Sequence, residues 1–229
     1  MVASFVEKLG ETKNCMVLSS LLVTTLIASA SPASAGELPP PKAWLQKVVD
    51  QAAGLAKRKV QPDSPQEEQW QSEAKSLIDD MIDWQRMTED SLGTQWKERS
   101  KQEQQEFSSM LREMIEASYR SKLRLAARGN VKKPAKIDIN WLEEEIKGDK
   151  AKVAAKVNMD KKNAVLEFSL LWNGDRWRVY DLAIDDVSTV RTYRTQFRKL
   201  ISEKGFDGLM ARMREKTVEI REGRAELAP

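Results

Sequence analysis

The spacing of apolar residues changes near residue 136 and changes back near residue 188. Outside this segment apolar side chains recur three and four residues apart, as on one side of a helix. Inside it they alternate with polar ones, as on a half-buried strand. An antiparallel sheet of such strands has one face to cover, and helices supply the cover. This succession of helical, strand-like and again helical segments predicts an α+β fold in which helices pack on one face of an antiparallel sheet of about four strands.

Local signals predict where the helices begin and end. Ser64 precedes a proline at the first helical position and is expected to cap the helix that follows. Ser100 and Glu103 form a capping box that opens the longest predicted helix. Gly93 and Gly205 stand where helices commonly end, because glycine adopts the left-handed conformation without steric cost.

The Asn-Gly pair at 173–174 predicts a two-residue hairpin turn, because both residues tolerate positive φ. The register that follows sets Leu170 opposite Trp177 and Phe168 opposite Val179. One apolar sheet face then carries Leu166, Phe168, Leu170, Trp177 and Val179.

The same register sets Asp181 opposite Leu166, on the apolar face. Either the strand ends or bulges there, or the carboxylate bonds a donor such as Arg194 or a helix N-terminus. Asp181 and Tyr180 are the only candidates for acid–base chemistry, and adjacent strand residues point to opposite faces. We therefore predict no catalytic residue and no enzyme.

Composition excludes several kinds of site. The 229 residues contain no histidine and one cysteine. Histidine-dependent catalytic triads and dyads, imidazole metal ligands, an intramolecular disulfide and a zinc ribbon are thereby excluded. A net charge of +3 is too small to indicate nucleic-acid binding. The acidic run 143–145 is interpreted as solvated. No metal, cofactor or nucleic acid is expected.

The N-terminal residues have the pattern of a secretory signal peptide. An uncharged stretch, residues 16–28, is followed by the small-residue sequence Ala33-Ser34-Ala35. The stretch is shorter than the roughly 20 residues that span a bilayer, although an uncleaved anchor is the alternative. We predict a signal peptide over residues 1–35, export to the periplasm, and a single domain over 36–229.

Two series of motifs stand in a fixed order within roughly residues 75–215. The first comprises DWQRMT (83–88), SLGTQW (91–96), Gln105, Phe107 and Tyr119; the second comprises WRVYD (177–181), VS (187–188), YRTQF (193–197) and GFDGL (205–209). In order and spacing they resemble the MlaC, or toluene-tolerance, family of periplasmic phospholipid-binding proteins. Asp186 stands where that family usually has glycine.

The resemblance implies a soluble periplasmic carrier that shuttles a phospholipid between the inner and outer membranes and so serves outer-membrane lipid asymmetry. The acyl chains would lie in an apolar cavity between sheet and helices. The implied partners are an inner-membrane Mla-type ABC transporter complex and an outer-membrane lipoprotein complex, with transient membrane contact.

A carrier needs a large apolar surface and no reactive group, and the sheet face and two helix stripes offer such a surface. The alternative is that these side chains pack into a solid core. The predicted lipid-binding residues are Met110, Leu111, Met114, Leu166, Phe168, Leu170, Trp177, Val179, Tyr193 and Phe197.

Arg191, Arg194 and Arg198 form a basic stripe beside the apolar stripe of one helix. A guanidinium there is able to bind a lipid phosphate bidentately, or to dock on an acidic partner or an anionic membrane. A solvated helix face is the third interpretation. Two further functions stay open for the whole chain: a carrier of another lipid, such as a hopanoid-like terpenoid, and a periplasmic adaptor that binds only protein.

Overall fold

The computed structural model describes residues 38–127, 137–159 and 162–224. The predicted signal peptide, residues 1–35, lies outside the described residues. None of the helices within these ranges is long and apolar enough to cross a membrane.

Within the described ranges, five helices precede the sheet and one follows it. The helices are α1 (Pro41–Lys57), α2 (Pro65–Met81), α3 (Trp84–Leu92), α4 (Thr94–Lys97), α5 (Lys101–Ala127) and α6 (Thr189–Arg221). The strands are β1 (Ile137–Lys147), β2 (Lys150–Met159), β3 (Lys162–Trp172), β4 (Trp177–Ile184) and β5 (Val187–Ser188). The α+β fold is as predicted.

The predicted helix ends are confirmed. The Ser64 hydroxyl accepts a hydrogen bond from a backbone nitrogen in the first turn of α2. Ser100 and Glu103 form the reciprocal capping box, with the backbone nitrogen of Ser100 2.7 Å from Glu103 Oε2 and the backbone nitrogen of Glu103 3.2 Å from Ser100 Oγ. Gly93 ends α3 at φ 60°, and Gly205 breaks α6 at φ 70° and ψ 178°.

The sheet is antiparallel throughout and its strands lie in the order β1-β2-β3-β4-β5. It therefore has five strands rather than the predicted four. The short fifth strand follows a two-residue turn in which Asp185 and Asp186 both have positive φ, 47° and 66°. Aspartate tolerates this conformation better than most residues, so the turn forms with Asp186 at a position that would also suit glycine.

The predicted hairpin register is wrong. Trp172 pairs with Trp177, so four residues form the connection instead of two. Within this loop the Asn173 carboxamide oxygen accepts hydrogen bonds from the backbone nitrogens of Asp175 and Arg176. Leu170 then pairs with Val179, and Tyr180 is an extra residue in a β-bulge. After the bulge, Ser169 pairs with Asp181.

The bulge moves Asp181 off the apolar face, where the sequence had set it. Asp181 Oδ1 accepts a hydrogen bond from the backbone nitrogen of Val190 at 3.0 Å, and Oδ2 accepts one from the Ser188 hydroxyl at 2.5 Å. The carboxylate therefore caps the N-terminus of α6. Leu182 and Ile184 take the apolar positions instead, opposite Phe168 and Leu166.

The apolar residues form three clusters. The sheet core joins one face of β2, β3 and β4 to α1 through Leu45, Val49 and Ala52. The helical core joins α3, α5 and α6. The joint core consists of Leu55, Trp70, Ala74, Ile78, Ile82, Tyr119 and Leu123 and connects α1, α2 and α5.

The chain between α2 and α3 fastens the helices to the sheet. Ile82 forms a parallel bridge with Val179 of β4, and the backbone nitrogen of Asp83 donates to the Val179 oxygen at 2.9 Å. Arg178 reaches from the same strand to the carbonyl oxygens of Asp79 and Ile82, at 3.0 and 3.3 Å. A cation at a helix C-terminus is favourable, so β4 stabilises the end of α2.

Candidate functional site

The apolar face of the sheet is built in rows across the strands. The two central rows are Ala151–Leu170–Val179 and Val153–Phe168–Leu182. All six side chains are buried. The centre of the face is therefore fully covered, by α1 together with Leu77 and Met81 of α2.

Beyond the central rows the cover is incomplete. The next row runs Trp141–Ala155–Leu166–Ile184, and Trp141 and Ile184 at its two ends are only half-buried. Ile139, one row further, is also half-buried. The Trp141 ring lies 6.5 Å from the Phe168 ring, between centroids. The apolar face thus ends in a half-exposed margin of large apolar side chains.

Polar contacts hold the start of α1 on this face. The backbone nitrogen of Lys42 donates to Glu144 Oε2 at 2.7 Å, and Lys42 Nζ donates to the Leu142 oxygen at 3.2 Å. The Trp177 indole nitrogen donates to the carbonyl oxygen of Pro39 at 2.6 Å. Pro40 offers α1 no side-chain cap, so the capping group comes from the sheet.

For Glu144, the prediction of a solvated acidic run is wrong. A bulge between Trp141 and Glu144 shifts the register of β1, and Glu144 pairs with buried Val153 on the apolar face. Its carboxylate is half-buried against α1, while Glu143 and Glu145 are exposed. A bulge of this kind leaves no signal in the sequence.

The predicted lipid-binding residues fall into two separate clusters. Five belong to the sheet core: Leu166, Phe168, Leu170, Trp177 and Val179. The other five belong to the helical core or pack against it: Met110, Leu111, Met114, Tyr193 and Phe197. The structure does not bring the two sets together around one space, and the assignment of lipid contacts to either stays a prediction.

Sequence reasoning missed the residues that face the sheet from α1 and those at its margin. The signal for α1 was present, since its apolar residues recur at helical spacing and Leu45 is fully buried. What the spacing did not reveal was the surface against which that side of α1 packs. Trp141 and Ile139 alternate with polar residues in the sequence, but the sequence did not show that their strand lies at the edge of the sheet, where they are only half-buried.

Tyr193 and Phe197 form the aromatic centre of the helical core. Their rings stack at 5.4 Å with an interplanar angle of 11°, and Phe107 meets Phe197 edge-on at 5.5 Å. Burial raises the pKa of the Tyr193 hydroxyl, so this phenol is protonated at neutral pH. The geometry is that of a packed core.

The three predicted headgroup or partner contacts lie on the exposed side of α6. Arg191, Arg194 and Arg198 are all exposed. Arg194 Nε donates to the carbonyl oxygen of Asp90 at 2.6 Å, and its Nη2 lies 3.9 Å from Asp90 Oδ1. Arg194 therefore binds the last turn of α3, which leaves Arg191 and Arg198 as the freer guanidinium groups of the stripe.

Comparison with solved structures identifies the same fold elsewhere. A phospholipid-binding protein from Ralstonia solanacearum, solved in complex with a phospholipid, superimposes with a TM-score of 0.60 and 21% sequence identity. The match covers 80% of this chain and 99% of that one.

No curated protein matches the sequence. The family model described as MlaC protein matches residues 46–215, which is most of the chain and includes both motif series. By this match the chain belongs to the MlaC family.

Proposed function

We propose that this protein is a periplasmic phospholipid carrier, whose ligand lies with its acyl chains against the apolar face of the sheet. One observation supports this most strongly. The face ends in a margin of half-exposed large apolar side chains, Ile139, Trp141 and Ile184. Membership of the MlaC family and the shared fold of the Ralstonia phospholipid-binding protein support the same function.

The physical requirement on a carrier favours such a surface. Each acyl CH₂ exposed to water costs about 0.8 kcal/mol, so a two-tailed lipid crosses an aqueous space only against an equivalent apolar surface. No reactive group is needed for this task. We accordingly assign the protein no catalytic activity.

The acyl chains would contact the sheet-core members of the predicted set, together with residues of α1 and the margin. The helical-core members Met110, Leu111, Met114, Tyr193 and Phe197 are secondary candidates, because they lie in a separate cluster. The exposed Arg191 and Arg198 are the candidates for contact with a lipid phosphate, an anionic membrane or an acidic partner.

The proposed route begins with export by the signal peptide over residues 1–35 and cleavage after Ala35, which leaves a single domain. The carrier would then exchange lipid with an inner-membrane Mla-type ABC transporter complex and an outer-membrane lipoprotein complex, touching each membrane transiently. Family membership supports this assignment.

The deciding experiment is native mass spectrometry of the protein purified from the envelope of the cells that produce it. We expect a mass increment that dissociates as a diacyl phospholipid, identified by lipid extraction and fragmentation. A bound terpenoid would overturn the assignment of the ligand. A protein without any lipid, which also takes none from phosphatidylglycerol vesicles, would overturn the carrier function in favour of an adaptor.

A further inference from the structure

The cover of the proposed lipid-binding face is held differently at its two ends. At its C-terminal end α1 is built into the joint core, where Leu55 is buried and its carbonyl oxygen accepts from the Trp70 indole nitrogen at 2.8 Å. Trp70 is 1% exposed. This end is therefore fixed to α2 by both apolar packing and a buried hydrogen bond.

At its N-terminal end the polar attachments of α1 are contacts to the sheet. The Glu144 carboxylate caps the helix at the backbone nitrogen of Lys42, and it lies half-exposed at the side of the molecule. A carboxylate at a helix N-terminus is favourable through charge and hydrogen bonding, yet water at an exposed edge is able to replace it. The Trp177 indole nitrogen also donates to the Pro39 carbonyl oxygen at this end, at 2.6 Å, so the start of α1 leaves the sheet only when these polar contacts break.

A glycine stands between the two regions. Gly54 lies within α1, after Ala52, which packs on the sheet core, and before Leu55, which packs in the joint core. A Cβ added at Gly54 would meet no atom within 4 Å, and its φ is not positive. Neither packing nor backbone conformation requires glycine there, although glycine weakens a helix interior relative to alanine.

We infer that α1 is a hinged cover of the lipid-binding face, with Gly54 as the hinge and Glu144 as the latch. Lipid enters and leaves when the segment from Pro41 to Ala52 lifts from the sheet and the contacts from Glu144 and Trp177 break. Glu144 is thus a positioning residue for lipid exchange and does not itself touch the acyl chains. The hinge motion itself does not depend on the proposed lipid binding; only the expected effect of the hinge on lipid transfer rests on that proposed function.

The first test measures the motion without any lipid. Hydrogen–deuterium exchange of the purified protein should show faster exchange over 42–52 than over the C-terminal turn of α1. Glu144→Ala should speed exchange over 42–52, while Glu143→Ala, an exposed neighbour of the same charge, should not. Equal protection along α1, or no response to Glu144→Ala, would overturn the hinge.

The second test measures lipid transfer between phosphatidylcholine vesicles that contain an acyl-labelled fluorescent phosphatidylglycerol. Loss of a hydrogen bond to a charged acceptor should raise the transfer rate of Glu144→Ala by about tenfold. Gly54→Ala should lower it by about threefold. The control for Gly54→Ala is Ser109→Ala, an exposed substitution in α5 that also favours helix.

The third test uses a cross-link between the start of α1 and the sheet. The domain over 36–229 contains no cysteine, so an introduced pair, Lys42→Cys and Glu144→Cys, is joined by a thiol-cleavable bifunctional reagent. The linked protein should neither load nor release the labelled lipid, and reductant should restore both. Transfer by the linked protein at the unlinked rate would overturn the inference. A wild-type protein that never loads lipid defeats the carrier proposal instead, while the exchange experiment still decides the hinge.

Discussion

The side chain of Arg194 occupies the space beside Gly93 in which any other residue would carry its Cβ. An ideal Cβ on Gly93 would lie 2.9 Å from Arg194 Cδ, and the backbone of Gly93 has φ 60° and ψ −126°. Because this arginine also bonds the last turn of α3, the two residues together fix the contact between α3 and α6.

Gly93→Ala should therefore destabilise the protein by about 2 kcal/mol, from a strained backbone and a steric clash. Urea denaturation followed by circular dichroism measures the change. In an Arg194→Ala background the cost of Gly93→Ala should be smaller, since the clash is gone and only the backbone strain remains. Equal costs in both backgrounds would contradict the steric part of the explanation.

Asp181→Ala should destabilise the protein by about 2 kcal/mol, because the carboxylate accepts hydrogen bonds from the Val190 backbone and the Ser188 hydroxyl at the start of α6. Thermal and urea unfolding both report this loss. As a control, Asp207→Ala changes an exposed carboxylate within α6, and its free energy of unfolding should stay within about 0.5 kcal/mol of wild type. Similar costs for the two variants would argue against the capping role.

The Asp79 carboxylate joins α2 to α5 and should give stability a defined dependence on pH. Burial acts to raise its pKa, but hydrogen bonds from Lys75 and Arg112, at 2.8 and 2.6 Å, outweigh burial and hold the pKa below its ordinary value. A lowered folded-state pKa means that the stabilisation is complete above about pH 4. It is lost as pH falls through the folded-state pKa.

Asp79→Asn should accordingly be less stable than wild type by about 1 kcal/mol at pH 7, and the difference should shrink as pH falls below about 4. Urea denaturation at a series of pH values measures it. Asp80→Asn, its exposed neighbour, provides the control. If the stability difference between Asp79→Asn and wild type grew as the pH fell, the lowered pKa of Asp79 would be refuted.

Filling the apolar face tests the location of the lipid. Ala155, 1% exposed, lies between Trp141 and Leu166 on the apolar face, whereas Ala154 lies on the opposite face. Ala155→Leu should reduce the amount of co-purified phospholipid several-fold, while Ala154→Leu should leave it unchanged. The measurement is lipid phosphorus per protein. Ala155→Leu with full lipid content and a stability loss of about 1–3 kcal/mol would indicate a solid core there.

The helix ends were predictable because their signals are local. Ser64, Ser100 and Gly93 act on backbone groups within four residues, and such contacts form irrespective of the rest of the fold. The same holds for the alternation that predicted the strands. These features follow from the sequence with no knowledge of tertiary structure.

The strand register was not predictable from the same signals. Asn173-Gly174 is a common hairpin turn, but here the Asn173 side chain bonds the backbone of the loop and extends it to four residues. The bulge at Tyr180 then reverses which side chains face the core. As a result Leu182, and not Asp181, lies opposite Phe168 on the apolar face, a pairing that the local turn signal does not determine.

The sequence predicted that the candidate site is apolar, but it predicted less well which residues form that site. The sheet-face residues were expected and share one cluster, whereas the helix residues proposed with them, such as Met114 and Phe197, lie in another. Periodicity identifies an apolar side of a helix, but both α1 and α5 have one. Only the fold decides which of them faces the sheet.

The bulge at residues 142–143 has a consequence for how this molecule meets its own copies. β1 is the outermost strand of the sheet, and the only described strand beside it is β2. A long regular edge invites pairing with another chain, which leads to aggregation. The bulge interrupts the row of backbone donors and acceptors along that edge; the exposed Glu143 lies within it, and the exposed Glu145 and Lys147 follow it. The irregularity that turns Glu144 toward α1 thus also guards the open edge against strand-to-strand association.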